Sequence, residues 1–395
     1  MNLPEKNTSK GQASKKINIL FFVILCLVIA GITFFAYARS QNIDIGSINI
    51  LDIFRSGFSQ KEDVSGKETS EFQYDTKSHP VFSLSNDTII ECTKDSVKGL
   101  GKKGDELWSI PISMSNPMLK VSDYGILVAD VGGKDVSVIS GRNVKWEKTL
   151  NDNIINADIN DQGYVTVVHE AKGYKGAVTA YNPQGGEIFT RFINETHVLS
   201  SKVSPSGNQV VISSVDTSGI STDMNFEITD KLGKPIKKMV KKDSMLPYLT
   251  YMGNNNIIAA GDSHIVAYDK NGSEKWDLNF NDGSVYNVAV AQGKYIVAAV
   301  TGGDKSGILL NDTGIKIINS DGKQAAEYKL NSEVKNIRAY SSMTAVNTGR
   351  DVYFITTSGK LAGTYTSQNE ITGVQFFSKN EVMIITKVGI DIVSI

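Results

Sequence analysis

The sequence predicts an all-β protein, an eight-bladed β-propeller after one N-terminal transmembrane helix. Three observations carry that expectation. A glycine turn recurs at blade-like spacing through residues 71–395, short Val-, Ile- and Tyr-rich runs flank each recurrence, and a charge-free apolar run stands near the N-terminus. The 395 residues include 41 Lys+Arg against 42 Asp+Glu, 41% hydrophobic residues and only 2 Cys, which excludes a mainly disordered chain and a disulfide-stapled miniprotein. A formal charge of -1 provides no overall electrostatic footprint for nucleic acid, so none is expected as a partner.

The apolar run is residues 17–38, INILFFVILCLVIAGITFFAYA, without a charged side chain. At about 1.5 Å per residue it reaches across a hydrocarbon core of about 30 Å. Lys6, Lys10, Lys15 and Lys16 precede it against Glu5 alone. The positive-inside rule therefore keeps residues 1–16 as a cytoplasmic stub and sends everything after Arg39 outside, as a single-pass protein of the cell membrane. The alternative is a cleaved secretory signal, because Ala36-Tyr37-Ala38 fits a small-x-small cleavage site. The run exceeds the usual signal-peptide core of about 7 to 15 residues, which favours an uncleaved anchor. Residues 39–70 read as a linker, in which Ile48, Ile50, Leu51, Phe54 and Phe58 line one face of a short helix at the membrane surface or against the ectodomain. Cys92 is the one cysteine beyond the membrane run and reads as a buried structural thiol.

The repeat is found by aligning AYNPQGGEIF from Ala180 with AYDKNGSEKW from Ala267. Each is a strand end, a turn with glycine, and an aromatic four residues after that glycine. The same turn position falls at Gly104, Asn143, Gly185, Gly233, Gly272, Gly322 and Gly359, at intervals of 37 to 50 residues. That period suits four-stranded blades and not two-helix solenoids, because the runs are β-branched and broken by Gly, Asn and Asp. One unit reads as VYNVAVA, KYIVAAVT, IKIINS and KQAAEYKL, strands A to D. The chain ends after three strands, ITGVQFFS, EVMIITK and GIDIVSI, while a surplus strand, EFQYDT (71–76), precedes the first unit. Joining them closes the ring and covers two exposed edges. Residues 71–395 then hold eight blades of about 41 residues. Seven is the count if one weak unit is misparsed.

The G-x-x-x-W turns at Gly104 to Trp108 and Gly272 to Trp276 resemble those of quinoprotein-like (PQQ-type repeat) propellers, which include bacterial envelope assembly lipoproteins of this shape. With the N-terminal anchor, the chain resembles an uncharacterised family of membrane-anchored propellers of Gram-positive bacteria. The resemblance covers residues 71–395 and is architectural, since Trp is replaced at most turns. It implies that the Trp residues pack between blades.

Chemistry is harder to find. His79, His169, His197 and His264 form no metal-like pair, and no nucleophile elbow, Walker loop or dinucleotide fingerprint occurs, so catalytic residues are not identified and neither a metal nor a cofactor is expected. Asp158, Asn160 and Asp161, and Asp269 with Asn271, suggest calcium but fit tight β-turns better. Lys234, Lys237, Lys238, Lys241 and Lys242 fall on an outermost strand, where lysine blocks edge pairing; an anionic-polymer patch is the alternative. The long units owe their length to the B-to-C connections 170–176, 215–224 and 301–314. These share one face of the ring with the D-to-A connections, and long loops on a rigid scaffold are where recognition resides. Tyr174, Asp216, Asp223, Asp304, Lys305 and Asp312 are the binding candidates. The expected function is a noncatalytic, membrane-anchored binding or scaffold module of the bacterial cell envelope, with another envelope protein or a cell-wall component as partner. The alternative is a propeller hydrolase or lyase acting on cell-wall polysaccharide. Fold alone does not decide between them.

Overall fold

The computed structural model describes residues 63–64 and 67–395, apart from 254, 282 and 303–312. The stub, the apolar run and the linker up to residue 62 lie outside the described residues. Among the described residues no helix is long and apolar enough to cross a membrane.

The middle strands of each blade are apolar on both faces because both are covered. Ile126–Asp130, Val165–His169 and Gly176–Tyr181 are buried at every position. The outer strands alternate or are largely exposed, as in Asn143–Thr149, where Trp146 is the one buried residue. Neither kind of strand is stable alone. Together they form eight four-stranded antiparallel sheets, each in the order A-B-C-D, among the described residues. Eight buried clusters lie between adjacent blades, so the hydrophobic core is a ring of inter-blade layers. This is the expected eight-bladed propeller.

Blade 8 is composite. Its strands A to C are Ile371–Ser378, Glu381–Thr386 and Gly389–Ser394, and its outer strand is Glu68–Gln73 from the other end of the chain. The closing strand starts three residues before the expected 71–76 and ends sooner. Asp75 caps a 3-10 turn over Thr76–Ser78, and His79 adopts a left-handed φ of 47°, so the chain bends away before Pro80. Val64 is already fully buried between blades 7 and 8, with its amide on the Thr364 carbonyl at 2.8 Å.

The C-to-D turns follow one local rule. Asn182, Asp230, Asp269 and Asn319 each accept hydrogen bonds from the amides two and four residues on, through one side-chain oxygen at 2.8–3.0 Å. The glycine between takes φ of 78–81° at Gly185, Gly233, Gly272 and Gly322. Blade 2 departs from the rule: Gly141–Arg142 make its turn and Asn143 opens strand D, so the turn assigned to Asn143 lies two residues earlier and is shorter. Asp269 is thereby committed to its turn, as is Asn160 in the A-to-B turn of blade 3, where it accepts from Gln162 and Tyr164. Cys92 is fully buried, and burial first, then the Glu91 charge, pushes its thiol up to about 12.

Except at Gly141 of blade 2, where the space is open, the glycine of each C-to-D turn receives a side chain from the preceding blade. Trp146 lies on Gly185, Phe189 on Gly233 and Trp276 on Gly322, where an added Cβ would meet ring carbons at 2.6–2.7 Å. Phe72 does the same at Gly104. The N-terminal strand thus closes the ring twice, by its ladder to blade 8 and by its ring on blade 1.

Candidate functional site

The B-to-C and D-to-A connections share one face, and on blade 3 they build a fixed aromatic feature. Residues 170–175 join Val165–His169 to Gly176–Tyr181. The connection is tied down at both ends: the Tyr174 amide donates to Ala171 at 3.0 Å and the Lys175 amide to Ile193 at 2.7 Å. Ala171 is buried and Gly173 supplies the left-handed turn at φ 85°. Tyr174 is therefore held over Phe192 of strand D, with ring centroids 4.8 Å apart and planes at 35°. Both rings remain half exposed, at 48% and 50%. Beside them Lys175 Nζ stands 3.3 Å from His197 Nε2.

Phe192 is a ridge between two inter-blade clefts. The cleft toward blade 2, about 510 Å³, contains Asp152, His169, Tyr181 and Glu187. The one toward blade 4, about 90 Å³, contains Thr196, Asn225, Glu227 and Lys238. In the larger cleft His169 is buried, with Nδ1 2.7 Å from the Glu170 carbonyl and Nε2 2.9 Å from Thr179 Oγ1. Thr179 continues to Thr190 at 2.8 Å, and Thr190 donates to Glu187 at 2.8 Å. Both imidazole nitrogens are occupied, so the ring has a positioning task and no free lone pair for a nucleophile or ion. In the smaller cleft Arg191 forks onto Glu227 of the next blade, with Nη2 3.0 Å from Oε2. Among the described residues no group of three or more His, Cys, Asp or Glu stands ready to hold a metal.

Of the six residues singled out in the sequence, Tyr174 stands in this feature. Asp216 and Asp223 do not: they are register partners closing the hairpin of Gln209–Asp216 and Asp223–Asp230, so they end strands and the loop shrinks to 217–222. The Ser218 hydroxyl and amide bind Asp216 and hold its carboxyl below the usual range, while Asp223 accepts the Asp243 amide at 2.9 Å. Both carboxylates serve local structure. Asp304, Lys305 and Asp312 lie outside the described residues. The loop apex of blade 4 instead presents Ile220, fully exposed.

Sequence reasoning missed Phe192, Lys175 and His197. The available signal was parity: Phe189 and Phe192 lie three apart on one strand and so point to opposite faces, and Phe189 is taken by Gly233. The lysine run maps to Pro235–Lys241 and its flanks, on the outer strand as expected. Part of its charge is used, since Lys241 pairs with Asp277 and Lys238 approaches Glu195 at 3.8 Å.

Residues 59–395 match the model described as "Family of unknown function (DUF5711)". No curated protein matches the chain. Among solved structures, BamB from Moraxella catarrhalis is similar at 11% identity and a TM-score of 0.54, over 83% of this chain and 99% of that one. Sqt1 of Saccharomyces cerevisiae is similar at 9% identity and a TM-score of 0.62, over 83% and 99%. The C-terminal WD40 domain of Sif2 gives 11% and 0.61, over 85% and 97%. These likenesses establish the propeller fold.

Proposed function

We propose that this chain, which belongs to the family DUF5711, is a noncatalytic binding module of the bacterial cell envelope, anchored by residues 17–38 with its propeller outside the membrane. One observation carries the binding assignment: Tyr174, on a loop whose backbone is hydrogen-bonded to the sheet, is held in tilted contact with Phe192 of strand D, and both rings stay half exposed. Large rings cost little conformational entropy on binding, and aromatic residues anchored on a rigid scaffold dominate contact energies. Ile220 on the neighbouring blade extends the apolar surface of the same face. The chemistry fits a protein partner, with a cell-wall component as the alternative, and the sequence resemblance to membrane-anchored propellers of Gram-positive bacteria supports the location.

The test is affinity capture of the anchored protein from native membranes after crosslinking, in parallel with a Tyr174→Ala/Phe192→Ala variant of unchanged melting temperature. Loss of a specific crosslinked partner in the variant is expected. Equal recovery by both would overturn the assignment. For the anchor, N-terminal sequencing of the native protein is expected to read from the cytoplasmic stub; a start at Arg39 would contradict it.

A further inference from the structure

The innermost strands bring charges from distant parts of the sequence to the central channel. Strands A of blades 2, 3 and 4 are Pro117–Val121, Ile154–Ile159 and His197–Val203. They run into their turns as Lys120-Val-Ser, Asp158-Ile-Asn and Lys202-Val-Ser, and Ser122, Asn160 and Ser204 each open the turn by donating an amide across it. Lys120, Asp158 and Lys202 therefore occupy one rung. Leu119 and Val121 pack toward blade 1, which turns Lys120 to the other face, toward Asp158. Lys202 Nζ stands 2.7 Å from Asp158 Oδ1, and both side chains are mostly covered.

A third cation comes from across the ring. Arg338 lies in strand A of blade 7, Asn336–Tyr340, whose Ile337 and Ala339 pack toward blade 6. It is near enough to act electrostatically on Lys120 of blade 2 and on Tyr248 of blade 5. Blades so far apart in the ring meet only through the channel. Its guanidinium makes one hydrogen bond among the described residues, from Nη1 to the Ile337 carbonyl at 3.4 Å. Among the described residues, the Lys120 ammonium has no ion-pair or hydrogen-bond partner, its backbone being paired with Leu127. The set is thus three cations with one carboxylate, and that carboxylate is already held by Lys202.

We propose that the channel is an anion site in which Lys120, Lys202 and Arg338 together bind a phosphate group. Cations carried on the inner strands of blades 2, 4 and 7 suit a tetrahedral oxyanion, whose acceptors point in several directions, better than a planar carboxylate. The site is reachable, since Lys120 and Arg338 are solvent-exposed. It is also unbalanced. Although it still meets solvent within the channel, the Lys120 ammonium is held below its usual range, first by desolvation from the protein around it, then by the Lys202 charge, with a further contribution from Arg338, against the opposing pull of Asp158. A bound anion offsets that repulsion.

The experiment is calorimetric titration of the full chain, in non-ionic detergent at physiological ionic strength, with inorganic phosphate, glycerol phosphate and acetate in separate arms. Saturable binding of one phosphate per chain is expected, weakened about tenfold or more by Lys120→Met and by Arg338→Met. Lys275→Met, an exposed lysine on an outer strand, should leave it unchanged. Melting of the phosphate-free variants separates loss of the site from loss of the fold. Tighter binding of glycerol phosphate would assign a phosphoester ligand, and tighter binding of inorganic phosphate the free ion. No saturable phosphate binding, acetate binding as tight as phosphate, or folded Lys120 and Arg338 variants that bind like the parent would overturn the proposal.

Discussion

Trp276, on the outer strand of blade 5, rests on Gly322 in the turn of blade 6, so closely that a Cβ at Gly322 would stand 2.7 Å from the indole Cγ. The same indole donates from Nε1 to the Ser320 carbonyl at 3.0 Å. One side chain thus joins two blades by packing and by a hydrogen bond. From Gly185 to Gly359 the residue four after one turn glycine covers the next turn glycine, as Phe189, Lys237, Trp276 and Ala326 do, whereas Trp108 lies over Gly99 of its own blade.

A direct consequence concerns Gly322→Ala, which adds both a clash and an L-residue at φ 78°. It should destabilise the ring by roughly 1–3 kcal/mol. Gly141→Ala is the control, because φ is 64° there but the space is open, and about 1 kcal/mol of backbone strain is expected. Urea midpoints of the two variants check the difference. Equal losses would show that the indole contact is not limiting.

Ring closure depends on Glu68–Gln73, which pairs with Gly389–Ser394 and sends Phe72 onto Gly104. Deleting residues 68–73 exposes the edge of Gly389–Ser394 and opens the layer between blades 8 and 1. A stability loss of several kcal/mol and faster proteolysis near the C-terminus are expected. Unchanged melting and proteolysis would contradict the closure.

Asp277 gives a pH dependence. Burial raises its pKa, but hydrogen bonds from Lys241 and His264, the latter at 2.8 Å, outweigh this and leave the carboxyl below its ordinary range. A depressed folded pKa means the contribution is complete above the unfolded value, about 3.9, and is lost as pH falls through the lower native value. Asp277→Asn should therefore be less stable than the parent at pH 7, with the gap closing below about pH 4. Urea midpoints measured across that range test it, and a gap that widens in acid would refute the sign.

The legible parts of the fold were those where local chemistry and tertiary role agree. Val165–His169 is buried throughout because both its faces are covered, and the turn glycines announce themselves by Asn or Asp three residues before, as at Asn182 and Gly185. The start of the closing strand was hidden because Glu-Thr-Ser has no apolar alternation; its partner, Val393, lies at the other terminus. Asp216 and Asp223 looked like loop residues because the strands extend beyond their apolar run and are held by pairing. Lys120, Asp158 and Lys202 were invisible as a set because only ring closure puts successive inner strands on one rung.

The central functional claim is that the face bearing Tyr174 and Phe192 meets the partner. A photocrosslinking amino acid at position 192, compared with one at Leu232 in the C-to-D turn on the opposite face, where the side chain is 66% exposed, tests it most directly in native membranes. A discrete adduct from position 192 and none from position 232 is expected. Adducts from 232 alone, or the same adducts from both positions, would contradict the account.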